Sequence, residues 1–173
     1  MFAMLIAAIV TTATASPAQL QAGLAGQWQG ALGYRDYRTD KPEEIPVVTE
    51  IRSIADGITL VSVSTYDDGP RVGSVYITSV QQIADGKATT VSSRKGRPME
   101  LSTDTLTVTR YVDATRWTIV ASRDGTDDDK PAKLRTTETR DGDTLLAIKE
   151  VLPASVTDGK WRYRNQRRLT RVR

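Results

Sequence analysis

The 173-residue sequence contains no cysteine and no histidine. The first absence excludes disulfides, thiolate metal sites, haem–thiolate ligation, a catalytic thiol and a lipoprotein anchor. The second removes the commonest general base, the commonest transition-metal ligand and the usual axial haem ligand. A Ser-His-Asp triad is therefore impossible, while Ser-Lys and carboxylate chemistry stay open. Together the two absences move the expectation from catalysis to binding, with no cofactor and no metal. Large apolar rings are also scarce. The single phenylalanine, Phe2, lies in the first apolar segment, so every other large ring is a Trp or Tyr with a polar handle.

Charge is unremarkable in sum and uneven in placement. The net charge is +3 and the mean hydropathy −0.37, which does not fit an integral membrane protein. An apolar run at residues 4–10 is followed by Ala13-Thr14-Ala15, an A-x-A cleavage pattern. The run is too short to span a bilayer, so it reads as a signal peptide over residues 1–15, with Ala18 as the alternative cut. No Lys or Arg precedes it, as an upstream start codon would explain. The expectation is a secreted or periplasmic protein with one domain over residues 16–173, of a size that suits a single core.

Punctuation gives the fold class. Asp-Gly occurs at Asp56, Asp68, Asp85, Asp124, Asp141 and Asp158, each beside Thr-, Val-, Ile- or Tyr-rich runs. Both residues tolerate positive φ, which gives a hairpin turn a twist matching that of its strands. Strands are expected near 27–38, 46–55, 58–65, 71–79, 87–93, 105–112, 115–122, 132–140, 144–151 and 160–171. Trp28, Leu32 and Tyr34 share one face of the first, opposite Gln29 and Arg35. Trp117, Ile119 and Ala121 alternate with Arg116, Thr118 and Ser122 in the same way. About 8–10 strands without helices to cover them predict an all-β, antiparallel up-and-down meander, closed into a barrel that leaves no edge. One short helical turn is expected at residues 17–25, plugging an end of that barrel.

Gly26-Gln27-Trp28, opening the first strand after that helical turn, resembles the G-x-W motif of the lipocalins and the wider calycin barrels. The resemblance implies that Trp28 packs across the closed end of the barrel under a late-strand arginine, Arg168 or Arg171. It implies binding of a small, partly apolar ligand. The family's central T-D-Y-like motif is not recognisable. A count nearer ten strands is similar to the fatty-acid-binding branch, but residues 39–46 are too few for that branch's helical lid.

Residues 160–173 hold seven basic side chains (Lys160, Arg162, Arg164, Arg167, Arg168, Arg171 and Arg173) and no acid. One reading is an anion site built from arginine forks. A second is contact with an anionic envelope surface. The third is cross-strand pairing with acids such as Glu138 or Glu150, contributing about 0.2–1 kcal/mol per pair. Nucleic acid is not an expected partner, since no further basic patch exists. At residues 34–38, Tyr34 falls with Trp28, and Arg35 with Tyr37 on the opposite face. The candidate ligand contacts are Trp28, Tyr34, Trp117, Trp161, Tyr163, Arg164 and Arg167, for a small amphipathic, anionic ligand. Asp127-Asp128-Asp129 lacks the spacing of a calcium loop and reads as a solvated tip. Glu43-Glu44 has no partner carboxylate for glycoside chemistry, and the Ser93–Lys95 pair sits in a turn-like segment.

Overall fold

Ten β-strands, each long enough to alternate several side chains in and out, follow one six-residue helix. The computed structural model describes residues 15–35 and 41–173. Residues 1–14 of the expected leader, Tyr37 and the start of the 39–46 segment lie outside the described residues. In chain order the elements are α1 (Pro17–Ala22), β1 (Gly26–Arg35), β2 (Pro42–Ser53), β3 (Thr59–Asp67), α2 (Gly69–Val72), β4 (Ser74–Ala84) and β5 (Lys87–Arg94). They continue with β6 (Glu100–Asp113), β7 (Arg116–Asp127), β8 (Lys130–Asp141), β9 (Thr144–Pro153) and β10 (Arg162–Arg171). Each strand pairs antiparallel with the next, and β1 pairs with β10, so the meander closes into a barrel. Among the described residues no helix is long and apolar enough to cross a membrane.

The Asp-Gly rule holds for most connections, with exceptions at Asp124 and Asp68. Asp85-Gly86, both at positive φ, turns β4 into β5 as a two-residue hairpin. Asp124-Gly125, expected as a turn, lies inside β7 instead, and the chain reverses at Asp128-Asp129, with φ of 52° and 58°. Asp tolerates the left-handed region better than most residues. The polar 124–131 segment therefore extends two strands to a tight tip. The 68–69 pair leads into α2 rather than a hairpin, a one-turn helix between β3 and β4.

One end of the barrel is sealed. Ser16 caps α1 through a reciprocal box: its hydroxyl accepts from the Gln19 N–H at 3.3 Å, and the Gln19 side chain accepts from the Ser16 N–H at 3.0 Å. Six residues are too few to stay helical alone, so packing holds α1 in place. Its Leu20, together with Leu24, enters a core with Trp28, Trp117, Ile119 and Leu169. Each such buried side chain contributes about 1.5–3 kcal/mol. The 54–58, 85–86, 114–115 and 142–143 turns lie at this closed end, and α2, the 95–99 turn, the Asp128-Asp129 tip and the 154–161 loop lie at the other.

Candidate functional site

Register decides which side chains reach the interior. Directly opposed residues share a face, and from Trp28 the inward set follows around the barrel. On β10 it holds Arg171, Leu169, Arg167 and Asn165, on β9 Leu145, Ala147 and Lys149, on β8 Arg140, Glu138, Thr136 and Leu134. At the closed end Trp28, Leu169 and Leu145 are apolar and buried, with buried Arg140 and half-buried Arg171 beside them. Above it, inward Ser62, Ser79, Gln81, Thr90, Thr136, Lys149, Asn165 and Arg167 are only half-buried although they face the barrel axis. Side chains that point inward and still expose surface line a space they do not fill. A second small apolar cluster, Ala132, Leu134 and Val151, stands on the far side of this polar belt.

Glu138 is the chemical centre of the belt. Burial pushes its carboxyl above the usual carboxylate range, and the charge of Arg167 pulls in the opposite direction. The Gln21 amide, reaching up from α1, donates to Glu138 Oε1 at 3.3 Å. Elsewhere in the belt Arg123 pairs with Asp104 at 2.8 Å, and the Thr49 and Ser64 hydroxyls bond at 2.9 Å. The interior thus combines an apolar floor with an acid and an arginine held deep within it.

The seven sequence-predicted residues divide by location. Trp28 and Trp117 form the floor: their indole N–H groups donate to the Leu24 and Ala114 carbonyls at 2.8 and 3.3 Å. Arg171, one of the two arginines suggested for the lipocalin-like role, stacks over Trp28 with its guanidinium 5.2 Å from a ring centroid. Arg168 points outward and is exposed. Tyr34 faces inward at the open end and donates to Glu43 at 3.1 Å. Arg167 lines the interior, and Arg164 forms an ion pair with Asp127 at the open end.

Trp161 and Tyr163 are on the outside. A β-bulge between Tyr163 and Asn165 places Tyr163 opposite the outward Glu150, while Asn165 stays inward. The Tyr163 hydroxyl donates to the Gly33 carbonyl at 3.1 Å, and burial raises its pKa above the usual tyrosine value. Trp161 lies against Arg135, 4.2 Å from guanidinium carbon to ring centroid, and Arg135 is held by Glu150 at 2.7 Å. This stack borders a surface groove of about 570 Å³ that also contains Lys87, Lys133 and Ser122. Of the two acids named as partners for the basic strand, Glu150 goes to Arg135 on β8 and Glu138 faces Arg167.

Gln21, Glu138 and Lys149 were not named as ligand contacts. A signal for one existed: Ala132, Leu134, Thr136 and Glu138 share the parity that alternation assigns to the buried face. Among the described residues no three His, Cys, Asp or Glu side chains come together as metal ligands.

No protein-family model matches the chain, and no curated protein sequence is similar to it. Its fold is similar to that of Rv2717c from M. tuberculosis, known from a crystal structure, with a TM-score of 0.62. The alignment covers 91% of this chain and 99% of the other at 18% identity, a likeness of fold alone.

Proposed function

We propose that this closed ten-stranded barrel is a secreted or periplasmic binding protein of calycin-like type, which admits a small amphipathic anion through its open end. The half-buried polar belt above the apolar floor, with Arg167 facing Glu138, is the observation that carries this reading. An apolar tail would lie towards Leu32 and the wall around Tyr66. A carboxylate, sulfonate or phosphate would meet Arg167, whose planar fork matches such groups. Burial shifts Glu138 towards its neutral form, which repels an anion less than a carboxylate does. Tyr34 would contact the ligand at the mouth. Trp28 and Trp117 would act beneath it, as buried floor.

The alternative, an envelope protein that docks its basic last strand on an anionic surface, has less to draw on. Arg167 faces inward, Arg164 and Arg173 pair with Asp127 and Asp143, and Arg171 is committed to Trp28 and the Ala25 carbonyl. Lys160 and Arg168 remain exposed for such a surface, while Arg162, opposite inward Val151, is exposed at the mouth.

The probe for the interior is 8-anilinonaphthalene-1-sulfonate, an amphipathic anion that fluoresces when removed from water. Saturable binding is expected, weakened about tenfold or more by Arg167→Gln, as loss of a charge-assisted bond implies. Arg168→Gln, on the outer face, is expected to leave binding unchanged. No saturable binding, or equal loss in both variants, would overturn the proposal.

A further inference from the structure

The outer surface of β3 to β6 differs from the rest of the barrel. Outward strand positions from Thr59 to Thr107 carry charge at two places only: Asp67 where β3 reaches the open end, and Lys87 where β5 leaves the closed end. The outward positions of β7 to β9 hold Arg116, Asp124, Lys133, Arg135 and Glu150. Strand register sets Val61, Val80, Val91 and Leu101 in one row across all four strands. Val80, Val91 and Leu101 are 46%, 40% and 71% exposed, and Tyr76, at 59%, lies further along β4 on the same face. A contiguous exposed apolar row of this kind marks an interaction surface, whereas single exposed apolar residues do not.

We infer that this face is where a second copy of the chain docks. A face with charge only at its two ends suits a copy of itself, because homodimer interface cores are apolar and depleted of charge. The two charges it does have lie at opposite ends. A two-fold axis lying in the plane of contact and running across the strands sets the open end of one barrel against the closed end of the other, directing Asp67 of each copy towards Lys87 of its partner. Such isologous pairing is the commonest oligomer geometry. Four strands about 4.8 Å apart and about 30 Å long outline a patch of roughly 600 Å². That approaches the ~800 Å² each partner contributes to a standard interface. Barrel closure leaves no free strand edge, so the contact is face to face.

Sedimentation equilibrium on the full chain tests this. The expected mass is twice the 19.0 kDa of one chain, falling to one chain in Val80→Lys/Leu101→Lys with an unchanged circular dichroism spectrum. Should that pair fail to fold, Val80→Thr/Leu101→Thr keeps the residue types of the neighbouring positions and is expected to weaken the dimer about tenfold. Lys87→Asp is expected to weaken it as well, and Asp67→Lys/Lys87→Asp to restore it. A monomeric wild type at 100 µM, including one that instead binds vesicles or another protein, overturns the inference. So does a dimer that survives the lysine pair.

Discussion

Arg171 and Trp28 face each other across the seam between the last strand and the first, with the guanidinium 5.2 Å from a ring centroid. Arg140 approaches the same ring at 5.9 Å and donates to the Gly142 and Gly23 carbonyls at 3.1 and 2.9 Å. It thereby joins α1 to the β8–β9 turn. Replacing buried Arg140 with Ala strips these carbonyls of their donor, and a loss of about 3 kcal/mol is expected in urea unfolding. Arg140→Lys should recover less than half of it, since an ammonium cannot span both acceptors and the ring.

The closure seam is also sensitive to bulk. A Cβ at Gly30 would lie 1.9 Å from the Arg168 carbonyl oxygen and 3.0 Å from the Leu169 Cα, both backbone atoms. Gly30→Ala must therefore push β1 and β10 apart. We expect a loss of about 2–4 kcal/mol and faster amide exchange along β10, while Gly33→Ala, with nothing nearer than 3.6 Å, changes little.

Glu138 gives stability a pH dependence of definite sign. Its folded pKa is raised by burial, so the folded state holds its proton over a range where the unfolded state has lost it. Stability from this group is present below the unfolded value and declines as pH rises through the folded one. Glu138→Gln should remove that decline. The melting difference between variant and wild type should be constant in acid and shift in favour of the variant as pH rises. A constant difference across the whole range would contradict the assignment.

Asp113 acts in the reverse sense at the β6–β7 turn. Hydrogen bonds from Arg116 and then from Thr115 hold its carboxyl well below the usual carboxylate range. Its contribution is present above the unfolded value and lost as pH falls. Asp113→Asn is expected to lower the melting temperature near neutrality and to leave it unchanged in strong acid.

The box at Ser16 bears on processing. Cleavage after Ala15 leaves Ser16 and its hydrogen bonds intact, whereas cleavage after Ala18 removes the cap and part of α1. On the proposal of secretion, the intact mass of the exported protein should correspond to Ser16 as first residue. Ser16→Ala should cost about 1 kcal/mol.

Strand number was legible because alternation and turn chemistry are local, and closure because an open meander would leave free strand edges. Trp28 and Tyr34 share a face in the sequence and inside the barrel alike. Asp124-Gly125 is not the turn expected of it, because two consecutive aspartates just after it, Asp128 and Asp129, take up the left-handed geometry instead. Trp161 and Tyr163 are of the same parity as Arg167 in the sequence, yet the bulge after Tyr163 places that tyrosine on the outer face. An irregularity of one residue has no compositional mark. The Glu138–Arg167 relationship was half-legible: Glu138 was expected to pair with an arginine of the last strand, but which one was not indicated, and periodicity gives a face and cannot tell a filled interior from an open one.

Nine of the ten strand pairings join neighbours in the chain, and the tenth joins its ends. Arg171 reaches the Ala25 carbonyl across 146 residues of sequence. Hairpins form within microseconds, whereas contacts of such separation carry the loop entropy that slows folding. Closing the interior therefore depends on the pairing of greatest sequence separation in the barrel, β1 with β10. Until β10 pairs with β1, the interior is an open groove and not a compartment.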